Sequence, residues 1–230
     1  DLTLSFAPSL FSDLGVDPQT SFEHVSIAAS VPHVLVVNPG LDVSSVADLI
    51  AKAKADPESI LFASGGVGTN THVTAELFQS FTGTKMTHIP YQGSGAAVTD
   101  IIRGDTQVLF TAVPTVLQHI QSGALRPLMV TSDKRVEALP DVPSAVNVGL
   151  PELNANFWVG YAMPSGSPAD AERKFGTSVA EIVKNPEVIE RLAKLGYQPV
   201  GLQGEEAAAF MKSEIERWGN VIKSANIKAE

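Results

Sequence analysis

Residues 64–72 form a glycine-rich segment with the composition of an anion-binding turn. The segment reads Ser-Gly-Gly-Val-Gly-Thr-Asn-Thr-His and connects a short apolar run to residues with helical spacing. Glycines let a ligand approach the backbone closely, and the first turn of a helix offers unpaired N–H groups and a partial positive charge. These features predict an anion-binding site, and an ordinary tight turn is the alternative that the pattern leaves open. The candidate ligand-binding residues are Ser64, Gly65, Gly66, Gly68, Thr69, Asn70, Thr71 and His72.

Two well-known phosphate-binding motifs do not match this segment. A P-loop ends in Gly-Lys followed by Ser or Thr, whereas Gly68 is followed by Thr69 and Asn70. A dinucleotide-binding fingerprint requires a third glycine at the position that Thr71 occupies. Neither motif therefore predicts a nucleotide ligand.

Two further turns are candidates for the same site. The turn Tyr91–Gly95 is also rich in glycine and precedes a predicted helix, and Thr111 and Ala112 end a predicted strand just before another helix. In open α/β sheets, ligands bind beyond the carboxyl ends of the strands, so the three turns could meet at one crevice. We therefore add Thr111 and Ala112 to the candidate ligand-binding residues. The spacing leaves open the alternative of three unrelated connections.

Reactive groups are sparse around these turns. Residues 59–75 and 86–99 contain no Asp, Glu, Lys or Arg, whereas acid–base catalysis requires titratable groups near the substrate. A hydrolase would need Ser64 or Ser94 with His72 as its reactive pair. Ser94 matches a nucleophile elbow only loosely, because Gln92 stands where that motif has its first glycine. The turns thus favour holding a ligand over reacting with it, and we expect no catalytic residues.

No metal or cofactor site is expected either. The histidines, at positions 24, 33, 72, 88 and 119, are not spaced as metal ligands on a helix. His88 lies within a predicted strand and His119 within a predicted helix, so we expect structural roles for both. The sequence contains no cysteine, which excludes disulfides, thiolate metal sites and cysteine nucleophiles.

The composition predicts a globular, acidic protein. Of the 230 residues, 44% are apolar, which is too many for a disordered chain and enough for a sizeable core. The net charge is −9 and no basic block is present, which excludes a typical nucleic-acid-binding surface. The longest run without charged residues, 106–125, contains three glutamines, a histidine and a proline, so we expect no membrane span. The chain begins without a signal peptide, so we expect a removed leader or a fragment.

Apolar runs that alternate with helical spacing predict an α/β fold. Strands are predicted at residues 2–6, 25–29, 34–37, 60–63, 86–89, 108–111, 128–131 and 157–163. Helices are predicted at residues 46–54, 69–81, 96–103, 114–121, 168–183, 186–195 and from 205 onward. Residues 132–151 are predicted to be irregular, and no linker separates two domains.

Several short sequence motifs together resemble one family, the periplasmic substrate-binding proteins of tripartite tricarboxylate transporters, also called Bug receptors. The motifs are Pro-His-Val-Leu-Val-Val-Asn-Pro at 32–39, Ala-Ser-Gly-Gly-Val-Gly-Thr at 63–69, His-Ile-Pro-Tyr-Gln-Gly-Ser-Gly-Ala at 88–96, Leu-Pro-Asp-Val-Pro-Ser at 139–144, Gly-Leu-Pro at 149–151, Arg-Trp-Gly at 217–219 and Ala-Asn-Ile at 225–227. They follow the family order and cover essentially the whole chain.

The chain also departs from the family pattern. The family often has Asp-Asn where Thr111 and Ala112 stand, and many members have Glu where Asn147 and Val148 precede the Gly-Leu-Pro motif. Family members begin with a strand, a Pro-Ala-Gly-Gly-like loop and a long helix, and this chain is expected to start after them.

The resemblance implies a two-lobed α/β fold of the type II periplasmic-binding-protein class, with two crossover strands near Val34–Asn38 and Phe157–Met163. Lobe 1 would comprise residues 1–38 and 157–230, and lobe 2 residues 39–156. Phe157, at the second crossover, is a further candidate ligand-binding residue.

The resemblance also implies a function: a monomeric periplasmic solute receptor. It would bind a small carboxylate between the lobes, namely a di- or tricarboxylate, an amino acid or an aromatic acid, largely through backbone amides and water. It would deliver this ligand to the membrane subunits of a tripartite tricarboxylate transporter. The acidity of the chain does not exclude an anionic ligand, because a helix N-terminus acts locally and charges beyond about 8 Å are screened. A Ser/His hydrolase and a sensory domain of the same fold remain the alternatives.

Overall fold

The computed structural model describes residues 3–11 and 13–227, which form two compact units. Unit 1 comprises the described residues up to Val31 together with those from Phe157 onward, and unit 2 is Pro32–Asn156. In chain order, the helices and strands are α1 (Thr3–Leu10), β1 (Phe22–Val37), α2 (Val46–Ala55), β2 (Leu61–Ser64), α3 (Asn70–Thr82), β3 (Thr87–Pro90), α4 (Ser94–Arg103), β4 (Val108–Ala112), α5 (Val113–Gln121), β5 (Arg126–Val130), β6 (Asn156–Pro164), α6 (Ala169–Ile182), α7 (Pro186–Lys194), β7 (Gln198–Gln203) and α8 (Glu205–Ser224). Short 3-10 helices cover Pro39–Leu41 and Val146–Val148.

The sheet of unit 2 has the strand order β3-β2-β4-β1-β5. Strand β2 runs parallel to β3 and β4, whereas β1 runs antiparallel to β4 and β5. The part of β1 in this sheet, Val34 to Val37, is fully buried, as expected for a strand with neighbours on both sides. Phe78 of α3 packs on Phe110 of β4 with ring centroids 5.4 Å apart, which fixes α3 against the sheet.

Unit 1 is built around the helices α1 and α8 and the strands β6 and β7. Both of these strands pair with β1. Helix α8 buries Met211, Trp218 and Ile222, where it packs on α1 and β7. The indole N–H of Trp218 donates to Glu214 at 3.1 Å, so this buried polar group has a partner. None of the helices in the described ranges is long and apolar enough to cross a membrane.

The strand predicted at residues 2–6 is wrong for the part that the structure describes, because Thr3–Leu10 is helical; Leu2 lies outside the described residues. A short apolar run fits a strand and a buried helix equally well, so a contact with a residue distant in sequence determines which of the two forms. Phe6 is fully buried and meets the ring of Trp218 edge-on at 5.8 Å between centroids. This contact holds the segment as a helix although it contains Pro8, which disfavours a helix interior.

The two strands predicted on either side of Pro32 are one continuous strand, β1. Proline has no N–H to donate and usually interrupts a central strand. Here Pro32 lies between residues 26–30, which pair with β7, and residues 33–37, which pair with β4 and β5. The change of partner at this point lets the strand continue through the proline.

Two other elements differ from the prediction. Strand β7 was not predicted, because Pro199 and Gly201 give its sequence the character of a loop. Helix α6 begins at Ala169, one residue later than predicted, and Pro168 occupies the N-cap position without a side-chain cap. The remaining predicted helices and strands are confirmed with ends shifted by a few residues.

Candidate functional site

Three neighbouring strands of unit 2 end at the same edge of the sheet. The parallel pairing of β2 with β3 places Ser64 beside Pro90, and the parallel pairing of β2 with β4 brings the end of β4, Ala112, to the same edge. Each strand is followed by a helix: α3, α4 and α5, respectively. The carboxyl ends of parallel strands are where open α/β sheets bind ligands, so this edge is the candidate site.

None of these three helices has a side-chain cap at its N-terminus. The N-cap residues are Thr69 for α3, Gly93 for α4 and Ala112 for α5, and no side chain of theirs accepts a hydrogen bond from the first turn. The first N–H groups of a helix have no partner within the helix, so without a cap they are available to water or a ligand. The edge therefore combines several free donors with the positive ends of three helix dipoles.

The glycine-rich segment is closed by hydrogen bonds within itself. The N–H of Gly65 donates to the hydroxyl of Thr71 at 2.8 Å, and the N–H of Gly66 donates to the hydroxyl of Ser64 at 3.1 Å. The hydroxyl of Thr69 donates to the carbonyl oxygen of Gly66 at 2.7 Å, and it accepts no hydrogen bond from the first turn of α3. The glycine amides and the Ser64 hydroxyl thus support the turn, and the donors that remain are those of the first turn of α3.

This segment touches the turn between β3 and α4. The N–H groups of Tyr91 and Gly93 donate to the carbonyl oxygens of Ser64 and Gly65, both at 3.0 Å. A side chain on Gly65 would lie 3.1 Å from the hydroxyl oxygen of Ser94, so the close approach requires glycine there. The structure therefore brings the first two predicted turns together.

Gly66 is the most constrained glycine of the segment. Its φ angle is 130°, a conformation that residues with side chains rarely adopt. A Cβ atom at this position would also lie 3.2 Å from the carbonyl oxygen of Tyr91. Both conditions make glycine necessary for the observed turn.

The imidazole rings of His72 and His88 stack beside the segment. Their centroids are 4.1 Å apart, and the ring of Phe62 stacks on His88 at 4.7 Å and lies 6.3 Å from His72. Burial, together with the neighbouring His88, lowers the pKa of His72 from 6.5 to about 4, and burial also lowers the pKa of His88. Both rings are therefore neutral at pH 7.

Each of these rings has a polar contact with the glycine-rich segment. Nδ1 of His72 accepts a hydrogen bond from the N–H of Gly68 at 3.2 Å, and Nε2 of His88 lies 2.6 Å from the hydroxyl oxygen of Ser64. The sequence prediction assigned His88 only a structural role in its strand, and it missed this contact. The signal that could have found it is register: Phe62 pairs with His88, and Ser64 lies on the same face of β2 as Phe62.

The other candidates occupy varied environments. Thr111 is buried within β4, opposite Val34 of β1, and Ala112 is half-buried at the start of α5. Phe157 belongs to unit 1, at the start of β6, whereas the other ten candidates belong to unit 2. Asn70 is half-buried in the first turn of α3, and Thr71 is buried.

The reactive pair that a hydrolase would need, Ser64 with His72, is not formed. His72 is bonded to Gly68 and lies 3.7 Å from a carboxylate oxygen of Glu76, while the hydroxyl of Ser64 lies against His88. Ser64 is also fully buried, which leaves its oxygen no access to a substrate. Within the described ranges, no group of three or more His, Asp, Glu or Cys residues could hold a metal ion.

Comparisons with known proteins identify the family. The sequence model of the tripartite tricarboxylate transporter family receptors matches residues 2–227. Protein BugT of Bordetella pertussis is 36% identical over 204 residues, which are 89% of this chain and 63% of that protein. The chain spans just under two thirds of the length of the first curated relatives it matches, namely 63%, 62% and 64%.

Solved structures confirm the predicted fold class. A structure described as a periplasmic transporter matches with a TM-score of 0.95 and 32% identity, over 100% of this chain and 77% of the other. An R. palustris protein solved with adipate matches with a TM-score of 0.91 and 30% identity, over 95% of this chain and 73% of the other. The fold is the two-lobed α/β fold of type II periplasmic binding proteins. Taken with the match over nearly its whole length, this means that the chain belongs to the tripartite tricarboxylate transporter receptor family.

Proposed function

We propose that the chain is the ligand-binding part of a periplasmic solute receptor, which binds a small carboxylate and delivers it to the membrane subunits of a tripartite tricarboxylate transporter. Membership in the receptor family supports the role in transport. The observation that carries the carboxylate site is that α3, α4 and α5 begin, uncapped, at one edge of the sheet of unit 2. The receptor acts as a monomer.

The first turn of α3 makes the main contacts with the ligand carboxylate. Its backbone N–H groups, at residues 70–72, have no cap, and an anion satisfies them better than water does. Asn70, which is half-buried in the same turn, completes the contact with its side chain. Ser64, Gly65, Gly66, Gly68 and the Thr71 hydroxyl hold the turn in shape. Ala112, half-buried at the start of α5, contacts the rest of the ligand.

Backbone donors, not cationic side chains, bind the carboxylate in unit 2. The charge-free run at residues 59–75 supports this mode of binding, because it places neither a cation nor a repelling carboxylate in the segment itself. The local field of a helix N-terminus is sufficient despite the net charge of −9, since distant charges are screened.

The ligand is a small organic acid: a dicarboxylate or tricarboxylate, an amino acid or an aromatic acid. The R. palustris relative solved with adipate supports a carboxylate ligand. The ligand is bound and released without chemical change, because the buried hydroxyl of Ser64 cannot reach a substrate. Binding requires no metal or cofactor.

Isothermal titration calorimetry of the full-length protein tests this function. The panel contains adipate, citrate, glutamate and benzoate, with the amide of adipate as the control that has the same chain but no charge. We expect saturable binding of at least one acid and none of the amide. Mass spectrometry of small molecules released from the native protein would then identify the natural acid. Failure of every acid to bind, or hydrolysis of an ester substrate that Ser64→Ala abolishes, would contradict the proposal.

A further inference from the structure

We propose that His72 and His88 are positioning residues, which hold the glycine-rich segment in the conformation that leaves the first turn of α3 open to a ligand. This inference rests on the proposed function. It follows from where the two rings make their contacts: His88 at Ser64, where the segment begins, and His72 at Gly68, just before α3. Neither ring needs to touch the ligand for this role.

The hydrogen bond of Gly68 defines the protonation state of His72. A backbone N–H can only donate, so Nδ1 of His72 carries a lone pair and the ring proton lies on Nε2. That Nε2 faces the carboxylate of Glu76, 3.7 Å away. If His72 gains a second proton, Nδ1 can no longer accept, and the buried N–H of Gly68 loses its partner.

The hydrogen bond of Thr69 explains why the conformation of the segment matters. Threonine is a good N-cap residue, and a free Thr69 hydroxyl would accept from the first turn of α3 and occupy the donors that a ligand needs. In the structure, the hydroxyl is oriented toward Gly66 and Thr71, at 2.7 Å from the Gly66 carbonyl oxygen and 2.9 Å from the Thr71 hydroxyl, and it makes no cap hydrogen bond to α3. The fold of the segment thus keeps its own capping residue away from the helix.

The contacts of His88 stabilise the same arrangement from the other end. The Ser64 hydroxyl, which lies beside His88, also donates to the carbonyl oxygen of Gly66 at 3.2 Å and accepts a hydrogen bond from the N–H of Gly66 at 3.1 Å. Gly66 is the residue whose carbonyl oxygen holds Thr69. His88 is therefore linked to Thr69 by hydrogen bonds through Ser64 and Gly66. His72 is bonded to Gly68, the residue that precedes Thr69.

Within the part of the chain that the structure describes, the titratable groups in contact with His72 are His88 on β3, stacked on the ring, and Glu76 on its own helix. Phe62 of β2 adds an apolar surface, 4.7 Å from His88 and 6.3 Å from His72 between ring centroids. Burial and the neighbouring His88 keep the pKa of His72 near 4, so the Gly68 bond is intact at neutral pH. A charge on His72 would break that bond and release the segment, and the affinity for a carboxylate should then fall.

The test compares His72→Leu, which removes the acceptor, with His72→Asn, whose side-chain oxygen can take the place of Nδ1. Adipate is the probe, and the full-length protein is titrated by calorimetry at pH 7. We expect His72→Leu to weaken binding about tenfold or more, and His72→Asn to recover most of that loss. His119→Leu, on α5, is the matched control and should bind like the wild type.

Two further readouts distinguish positioning from general stability. Hydrogen exchange of the Gly68 amide should be slow in the wild type and in His72→Asn, and fast in His72→Leu. Between pH 5 and pH 4, affinity should fall more steeply for the wild type than for His72→Asn, because only the wild type has an imidazole at position 72 to protonate. Adipate itself also titrates in this range, but its titration affects both proteins equally. The same exchange measurement on the wild type, as a protection factor at pH 7 and at pH 4, requires no variant.

Equal affinity and equal Gly68 protection in the wild type and His72→Leu would overturn the inference while leaving the receptor function in place. If the wild type binds no acid, the proposed function fails instead. The protection of the Gly68 amide then still tests whether His72 holds the segment.

Discussion

The hydroxyl of Thr69, the N-cap residue of α3, donates to the carbonyl oxygen of Gly66 at 2.7 Å and accepts no hydrogen bond from its own helix. A side-chain cap typically stabilises a protein by about 1 kcal/mol. The three helices that begin at this edge, α3, α4 and α5, have no such cap. An arrangement that leaves donors unpaired in the free protein and satisfies them with an anion is what a carboxylate receptor requires.

Replacing Gly66 by Asp should weaken carboxylate binding about tenfold to a hundredfold or more. The new side chain meets the carbonyl oxygen of Tyr91, and its charge repels the ligand, so one or two charge-assisted hydrogen bonds are lost. The matched control is Gly123→Asp, which also has a positive φ angle, 76°, but has open space around its Cβ position. Calorimetry on the two folded variants should separate them, and equal affinities would remove the segment from the site.

No Lys or Arg of unit 2 should contact the bound carboxylate. The arginine of β5, Arg126, already donates to the carbonyl oxygen of Val43, and residues 59–75 contain no cation. We expect Arg126→Met and Lys85→Met each to change the affinity for the acid by less than about twofold. A crystal structure of the complex with a bidentate Lys or Arg contact from unit 2 would refute this prediction.

His33 should make the protein less stable as the pH falls. Its Nδ1 bonds to the hydroxyl of Thr74, which itself donates to Asn70, so the ring is neutral with its proton on Nδ1; Nε2 is buried without a partner. Burial lowers the pKa of His33 from 6.5 to about 4. A lowered pKa in the folded state gives stability that is complete above about pH 6.5 and is lost as the pH falls toward 4, by roughly 2–4 kcal/mol in total.

Urea denaturation at pH 7 and pH 4.5 measures this loss. His33→Gln has no titrating ring, so it should lose less stability than the wild type over the same pH interval, although it is less stable at pH 7. Equal losses in the two proteins would show that His33 is not the group responsible.

Phe6→Ala should destabilise unit 1 by about 3–5 kcal/mol, the usual cost of removing a fully buried aromatic ring. The ring packs on Trp218, so the tryptophan fluorescence should change as well. Phe11→Ala, at the end of the same segment and 37% exposed, is the control and should cost much less. A small effect of Phe6→Ala would contradict the packing of α1 on α8.

Local signals predicted much of the fold. Several helix ends match signals in the adjacent residues: Ser45 caps α2, α4 ends at Gly104, and α7 begins at Asn185 and Pro186. The elements that were wrong or missed depend on distant partners. Helix α1 requires the contact between Phe6 and Trp218, and β7 requires pairing with residues 26–30 of β1.

The same division applies to the candidate site. Glycine spacing and the strand-to-helix connections predicted the segment, because backbone conformation there is a local property. The role of His88 could not be predicted, because it depends on the register of β2 against β3, which places the ring beside Ser64. The burial of the Ser64 hydroxyl also depends on that register, and it moves Ser64 from ligand contact to support of the turn.

Whether the first turn of α3 binds the carboxylate is tested most directly by comparing the adipate affinity of Asn70→Asp with that of Asn185→Asp. Both asparagines stand at helix N-termini, so an added negative charge interacts favourably with the helix dipole and should not lower the melting temperature of either variant. Only Asn70 is at the proposed carboxylate site. We expect Asn70→Asp to weaken binding about tenfold or more, while Asn185→Asp binds like the wild type. Wild-type affinity in a folded Asn70→Asp protein would show that the first turn of α3 does not bind the carboxylate.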